Sequence, residues 1–324
     1  MDLKSETKNQ HFLSQTEQRL NSLNPDVDVK KQRIYEFELV EREEHKVALR
    51  SPKGVVIGKT LSLYDLFSFD VLKDSDRYNF EALFTRYEAN TKKLTNELIR
   101  KLDIPGSNIA PEIVNIFAIK FLNFVRNPFS VKKILNTFPS ISSVQPTDPI
   151  HLANFNRVLT GRKPQQRYLC EKLGISEVEY VSWLAILFIL LTPLAKGGSN
   201  FLNDMVEGLF DSKELFVAVF IHDYDKHSCL LSDRGYSTPM SEDQGQAFDF
   251  NVHSKCFIRY VFQQIDSLIP AGYPQEFVEM FKATKKIDAR YIRNDLKALE
   301  IYNKHVIYQC HSQVFCAEPD FFGF

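Results

Sequence analysis

Residues Leu215 to Phe262 read LFVAVFIHDYDKHSCLLSDRGYSTPMSEDQGQAFDFNVHSKCFIRYVF. Four runs rich in β-branched and aromatic residues follow one another there, separated by short polar turns. That spacing favours antiparallel pairing over βαβ units. Strands are expected near 215–222, 228–234, 246–252 and 256–262, with the polar island Ser232-Asp233-Arg234 at the edge of one. The reading for the whole chain is α+β: a mostly antiparallel sheet covered by a large helical region.

Outward from this stretch, residues 1–324 read as a single domain. The helical portion, about 75–200, packs on a sheet formed by 30–60 and 215–262, and a helix–strand segment at 274–315 closes the chain. Residues 9 to 24 read as a helix ended by Asn24-Pro25-Asp26. Arg33 to Val40 alternates as a half-buried strand, and 46 to 59 holds a strand pair turning at Ser51-Pro52-Lys53-Gly54. Asp74 to Leu102 and Pro111 to Arg126 are helix patterns, and 137 to 150 is a Pro/Ser loop. Ser176 opens a buried helix with a Ser-x-x-Glu capping box, closed by Lys196-Gly197-Gly198. Residues 274 to 285 and 288 to 303 read as helices, and 304 to 315 as a strand.

Composition excludes more than it assigns. With 44% hydrophobic residues and 27 Phe among 324, the chain can bury a sizeable core. The formal net charge of −1 points neither toward nor away from nucleic acid. Five scattered Cys without a CxxC pair argue against a zinc cluster and for a reducing cytosol. MDLKSETKNQ lacks the apolar segment of a signal peptide. The longest apolar run, Trp183 to Leu191 and on to Ala195, falls short of the roughly 20 residues a membrane span needs. A cytoplasmic protein without a membrane partner is expected.

No phosphate loop, GxGxxG, HExxH or GxSxG motif is present. His222, Asp223, Asp225 and His227 in HDYDKH resemble metal ligands, but Asp and Lys between two β runs are ordinary turn residues. His11 and Gln15, one helical turn apart, can reach a common point and act as a general base or hold a phosphate; an exposed polar face is the simpler account. Glu88 interrupts an apolar helix face and reads as a buried acid or a solvated one. Arg126 ends an apolar helix, where the helix dipole alone would favour it. Ser232-Asp233 stands at a buried strand end, where both sites and caps occur. Arg157, Arg162, Lys163 and Arg167 form the single basic cluster.

The same residues carry a resemblance. HFLSQTEQR is similar to the His-Tyr-x-Pro-Gln-x-x-Leu-Arg opening of a largely bacterial family catalogued as domain of unknown function 4238. Arg33-Ile34-Tyr35-Glu36-Phe37 resembles that family's first strand, and Glu88 matches a Glu in its long helix. FLNFVRNP (Phe121 to Pro128) is similar to its helix ending in Arg-Thr-Pro, and LLSDRGY (Leu230 to Tyr236) to its Ser-Asp-Asn-Pro strand end. The helix around Asn294, followed by Val306 to Tyr308, resembles its closing elements. Ser14 stands in place of the Pro, Glu17 and Gln18 replace apolar positions, and Arg234-Gly235 replaces Asn-Pro. The resemblance implies that the dispersed polar residues belong to one pattern.

The resulting expectation is a nucleic-acid- or nucleotide-directed effector of a bacterial conflict or antiphage system, such as a metal-dependent nuclease. His11, Gln15, Glu88, Arg126 and Asp233 would be catalytic. Arg19, Ser232, Arg162 and Lys163 would bind substrate, and Glu88 with Asp233 would hold Mg²⁺ or Mn²⁺. The alternative is a non-catalytic binding or sensor module for a protein, nucleotide or nucleic-acid partner, including a partner protein of a defence operon.

Overall fold

The computed structural model describes residues 2–73, 76–239, 245–269, 272–284 and 287–323. In chain order the elements are β1 (Asn9–His11), α1 (Gln15–Arg19), β2 (Arg33–Glu41), β3 (Lys46–Leu49), β4 (Val55–Val56), β5 (Ser62–Tyr64), β6 (Asp70–Lys73) and β7 (Asp76–Tyr78). Helices α2 (Glu81–Glu88), α3 (Thr91–Leu102), α4 (Ala110–Arg126), α5 (Val131–Thr137), α6 (Pro149–Thr160), α7 (Gln166–Leu173), α8 (Glu177–Leu191) and α9 (Phe201–Asp211) follow. The chain then runs through β8 (Leu215–Asp223), β9 (Leu231–Ser232), β10 (Gly245–His253), β11 (Cys256–Gln264), α10 (Ile265–Leu268), α11 (Gln275–Thr284), β12 (Asp288–Arg293), α12 (Leu296–Gln309) and β13 (Gln313–Cys316). The α+β class is as expected. Internal contacts gather the chain into two compact units: residues 1–14, 60–91 and 121–205 form unit 1, and 15–59, 92–120 and 206–324 form unit 2.

Unit 1 is built around α8. Its side chains are apolar on all sides, the pattern of a fully buried helix, and the ten residues Tyr180 and Trp183 to Leu191 are buried. Its capping box forms as read: Ser176 accepts from the Glu179 amide, and Glu179 accepts from the Ser176 amide. Trp183 donates to the Val125 carbonyl at 2.8 Å and Tyr180 to that of Leu66 at 2.7 Å, so each buried polar tip is satisfied. The helix ends at Thr192-Pro193, ahead of the expected Gly197 stop.

The N-terminal helix expected over 9–24 is mostly replaced. β1 pairs with β5, and only Gln15–Arg19 is helical. The cause is Gln10, fully buried, whose side chain accepts from the Phe67 amide and donates to Ser68 and Thr7. Apolar periodicity cannot register a strand held by one buried amide side chain. The long helix expected from Asp74 begins instead with β7, then breaks between α2 and α3; residues 74–75 lie outside the described residues.

Unit 2 holds two larger sheets. One has the order β10-β11-β8-β12, antiparallel except for β12, which runs parallel to β8. The other has the order β3-β2-β13-β9, with β4 also on β2. The N-terminal strand thus joins a different sheet from Leu215–Asp223. One face of the first sheet packs on Phe117 of α4, whose ring lies 4.9–6.1 Å from Tyr260, Phe262, Phe250 and Phe248. α12 serves both sheets: Tyr302 stacks on Phe257 of β11 at 4.1 Å, and α12 shares a core cluster with Phe37 of β2 and Val314 of β13.

The segment read as a helix over 288–303 splits. β12 ends where Asn294 takes a left-handed φ of 56°, a conformation Asn tolerates, and Asp295 then caps α12 by accepting from the Ala298 amide at 3.0 Å. The strand expected from Lys304 starts at Gln313 instead.

Candidate functional site

In unit 1, Glu81, Phe84 and Glu88 fall at i, i+3 and i+7 of α2, along one helical face. Arg126, at the last position of α4, meets that face. Its guanidinium carbon lies 5.0 Å from the centre of the Phe84 ring, its Nη1 donates to Glu88, and its Nη2 donates to Asn123 at 2.7 Å. The residue is 1% exposed while the Glu88 side chain is 26% exposed, so the pair stands at the edge of the buried interior.

Among the described residues, two polar atoms of this cluster are buried without a partner: Oε1 of Glu81 and Nε of Arg126. Burial pushes the Glu81 carboxyl up to about 7, with Glu88 adding to the rise and Arg126 opposing it. On the same helix, the Tyr87 hydroxyl accepts from Asn200 Nδ2 and donates to Asn203 Oδ1, each at 3.0 Å, and burial raises its pKa as well. One acid therefore sits paired with a cation while its neighbour holds a proton near neutrality. That division between two carboxyls is the arrangement acid–base catalysis uses.

Of the residues expected from the sequence, Glu88 and Arg126 meet. His11, on β1 of unit 1, pairs through its backbone with Ser62. Gln15 and Arg19 belong to unit 2, where Arg19 Nη2 donates to Gln15 Oε1. His11 and Gln15 do not share one helical stripe, because the chain is a strand at His11. Lys163 is buried with its amine on the Gly161 carbonyl at 2.9 Å, and burial lowers its pKa. Arg162 is exposed, and its carbonyl accepts from Val71. Arg157 stacks 4.4 Å over Tyr78, and Arg167 pairs with Glu171, so most of the basic cluster is already engaged.

Asp233 is 1% exposed and receives three backbone amides: His311 and Ser312 at 2.8 Å and Gln313 at 3.0 Å. Burial raises its pKa against the pull of those amides. Ser232 Oγ accepts from the Arg234 amide at 3.1 Å. On the other side of the same turn, Arg42 donates to the carbonyls of Tyr308, Cys310 and His311. The turn between α12 and β13 is held by an anion on its N–H groups and a cation on its C=O groups. Asp233 is thus a clamp. Glu88 and Asp233, the expected metal ligands, lie in different units and each is engaged by other groups.

A second constellation was invisible to motif reading. Asp223, Cys256 and His253 lie in one cross-strand row over β8, β11 and β10, with donor atoms all within 4.8 Å of one another. These are metal-ligand types, but the hydrogen bonding opposes the role. His253 Nδ1 accepts from the Lys255 amide at 3.1 Å, which leaves the proton on Nε2, the nitrogen that faces Asp223 at 4.0 Å. A ligating histidine normally donates from its other nitrogen. Tyr291 donates to the remaining Asp223 oxygen at 3.2 Å. In HDYDKH, His222 and Asp223 end β8 and the turn begins after them, where Asp225 accepts from Arg293 and Asn294 at 2.7 Å each.

The described residues define an α+β protein with a carboxyl–carboxyl–arginine cluster on α2 and α4. Among them, no single helix is long and apolar enough to cross a membrane. Comparison with protein-family models, curated proteins and solved structures finds no match.

Proposed function

We propose that unit 1 carries an acid–base hydrolase site for a phosphodiester or nucleotide bond. The observation that carries this reading is Glu81, a half-buried carboxyl that keeps its proton near pH 7 beside a buried arginine with one unpartnered N–H. With Glu81 protonated and Glu88 paired to Arg126, the cluster has no net charge, so a phosphodiester monoanion can approach. Arg126 Nε then donates to a non-bridging oxygen. Glu81 gives its proton to the departing oxygen as that bond to phosphorus breaks, and Glu88 takes the proton of the attacking water. The bacterial antiphage setting is proposed from the resemblance to domain of unknown function 4238. A reducing, cytoplasmic location accords with five buried cysteines in the thiol form.

The test is a hydrolysis panel on the purified chain: DNA, RNA, tRNA, ATP and NAD, each with Mg²⁺, Mn²⁺ or EDTA, repeated with Glu81→Gln and Glu88→Gln. Turnover that survives EDTA, declines above pH 7 and is lost in folded Glu81→Gln is the expected result. A wild type inert on every substrate, or full activity in Glu81→Gln, overturns the reading and leaves Arg126 as part of a non-catalytic polar network.

A further inference from the structure

The sheet β10-β11-β8-β12 carries a second polar cluster, wholly within unit 2 and independent of the hydrolase reading. Cross-strand register places Asp249, Arg259 and Phe220 in one row and Asn251, Phe257 and His222 in the next, on one face. Arg259 gives Nε and Nη2 to the two oxygens of Asp249 at 2.7 Å each, and Nη1 takes no part in that pair. His222 stacks on Phe257 at 4.5 Å and 7°, and Tyr302 of α12 stacks on the same ring. The stack fixes the plane of His222, which is 6% exposed, and its Nδ1 is buried with no partner among the described residues. His305 lies one helical turn beyond Tyr302, within the fields of Asp249 and Arg259, and its Nδ1 is likewise buried with no partner among the described residues.

We infer that Arg259, His222 and His305 form a binding site for a compact, singly charged phosphoryl group. Two buried imidazole nitrogens left without partners are costly in a folded protein unless something fills the place. Burial lowers the pKa of both rings, His222 to about 4, so each is neutral and has one proton to place. An acceptor ligand draws that proton to Nδ1. The three side chains stand on three separate elements, β8, β11 and α12, an arrangement that suits tetrahedral oxygens better than the two coplanar oxygens of a carboxylate. Asp249 cancels the charge of Arg259, and Asp295, at the start of α12, is the other carboxylate whose field reaches His222. Together they disfavour a dianion, so a dihydrogen phosphate or phosphodiester monoanion is the fitting class.

The experiment is titration of the full chain with inorganic phosphate, and separately with acetate, read by calorimetry and by imidazole ¹⁵N resonances. Phosphate should move the signals of both His222 and His305, and His305→Ala should weaken binding about tenfold, the loss of one good hydrogen bond to a charged group. Arg259→Lys keeps a cation for Asp249 but removes the third nitrogen, and should weaken binding by a similar factor. Phosphate binding that leaves both imidazoles unmoved, acetate binding as tight as phosphate, or no binding at all would each overturn the inference. Should either variant fail to fold, the wild-type imidazole shifts decide alone.

Discussion

Asp233 in unit 2 and Glu81 in unit 1 are both carboxyls raised by burial, and the two units treat them in opposite ways. Around Asp233, three backbone amides converge on the two carboxylate oxygens, one on Oδ1 and two on Oδ2. At Glu81, one oxygen is buried with no partner among the described residues, within the field of an arginine whose Nε is in the same condition. A saturated carboxylate has spent its chemistry on holding the chain. An unsaturated one has kept it, at a cost in stability that a purely structural residue would not incur.

The sharpest way to break this comparison is to remove the saturated group. Asp233→Ala strands three amides at the α12–β13 turn and should cost about 4 kcal/mol of stability, summing roughly one to two per orphaned donor. Urea unfolding checks it; a loss below about 1 kcal/mol would show that water replaces the carboxylate and that the clamp is not one.

Glu81→Gln should act in the opposite direction, and with a pH signature. The folded chain holds the Glu81 proton up to about pH 7, whereas a glutamate carboxyl ordinarily releases it near 4.5. Between those values the folded state binds more protons than the unfolded one, so wild-type stability contributed here falls as pH rises through the window and is flat above it. A shift of that size corresponds to roughly 3 kcal/mol, so the Gln variant should gain up to that amount at pH 8 and little at pH 4.5. Thermal melts at the two pH values separate the outcomes: equal stability of variant and wild type at both would mean Glu81 titrates normally. Arg126→Met comes next, at about 2 kcal/mol lost, because Asn123 loses its donor while Glu88 can turn to solvent. It should also raise the Glu81 pKa further, readable as an upward shift of the Glu81 carboxyl titration.

What was legible in the sequence follows from the range of the signals. The strands of 215–262, the buried α8 with its capping box and the strand at Arg33 were readable because apolar period and caps are local. Glu88 and Arg126 were recognisable as interruptions of apolar helices. Glu81 was not, since a Glu at the first position of a helix looks like a dipole partner, and only its tertiary burial makes it an acid of pKa about 7. Asp233 was legible only as a strand-end carboxylate, where both sites and caps occur: it looks alike whether it faces ligand or amides, and the amides came from residues 311–313, far along the chain. The Asp249–Arg259 pair and the imidazoles beside it depend on register across strands and on a helix read partly as a strand, neither of which a single sequence displays.

The smallest effect probes the cation that matches Asp233. Arg42 sits on the carbonyl side of the same turn, donating to Tyr308 in the last turn of α12 and to Cys310 and His311 just beyond it, carbonyls that would otherwise face water. Because those carbonyls are only partly buried, Arg42→Ala should cost about 1 kcal/mol, well under the Asp233 effect. The two sites grip opposite ends of the same peptide groups, 310–311 and 311–312, so their losses should not add: with the turn already released by Asp233→Ala, removing Arg42 has less left to break. A double-mutant cycle in urea measures this coupling. Strict additivity would mean that the anion and the cation hold separate structures, and the picture of one turn gripped from both sides would have to be given up.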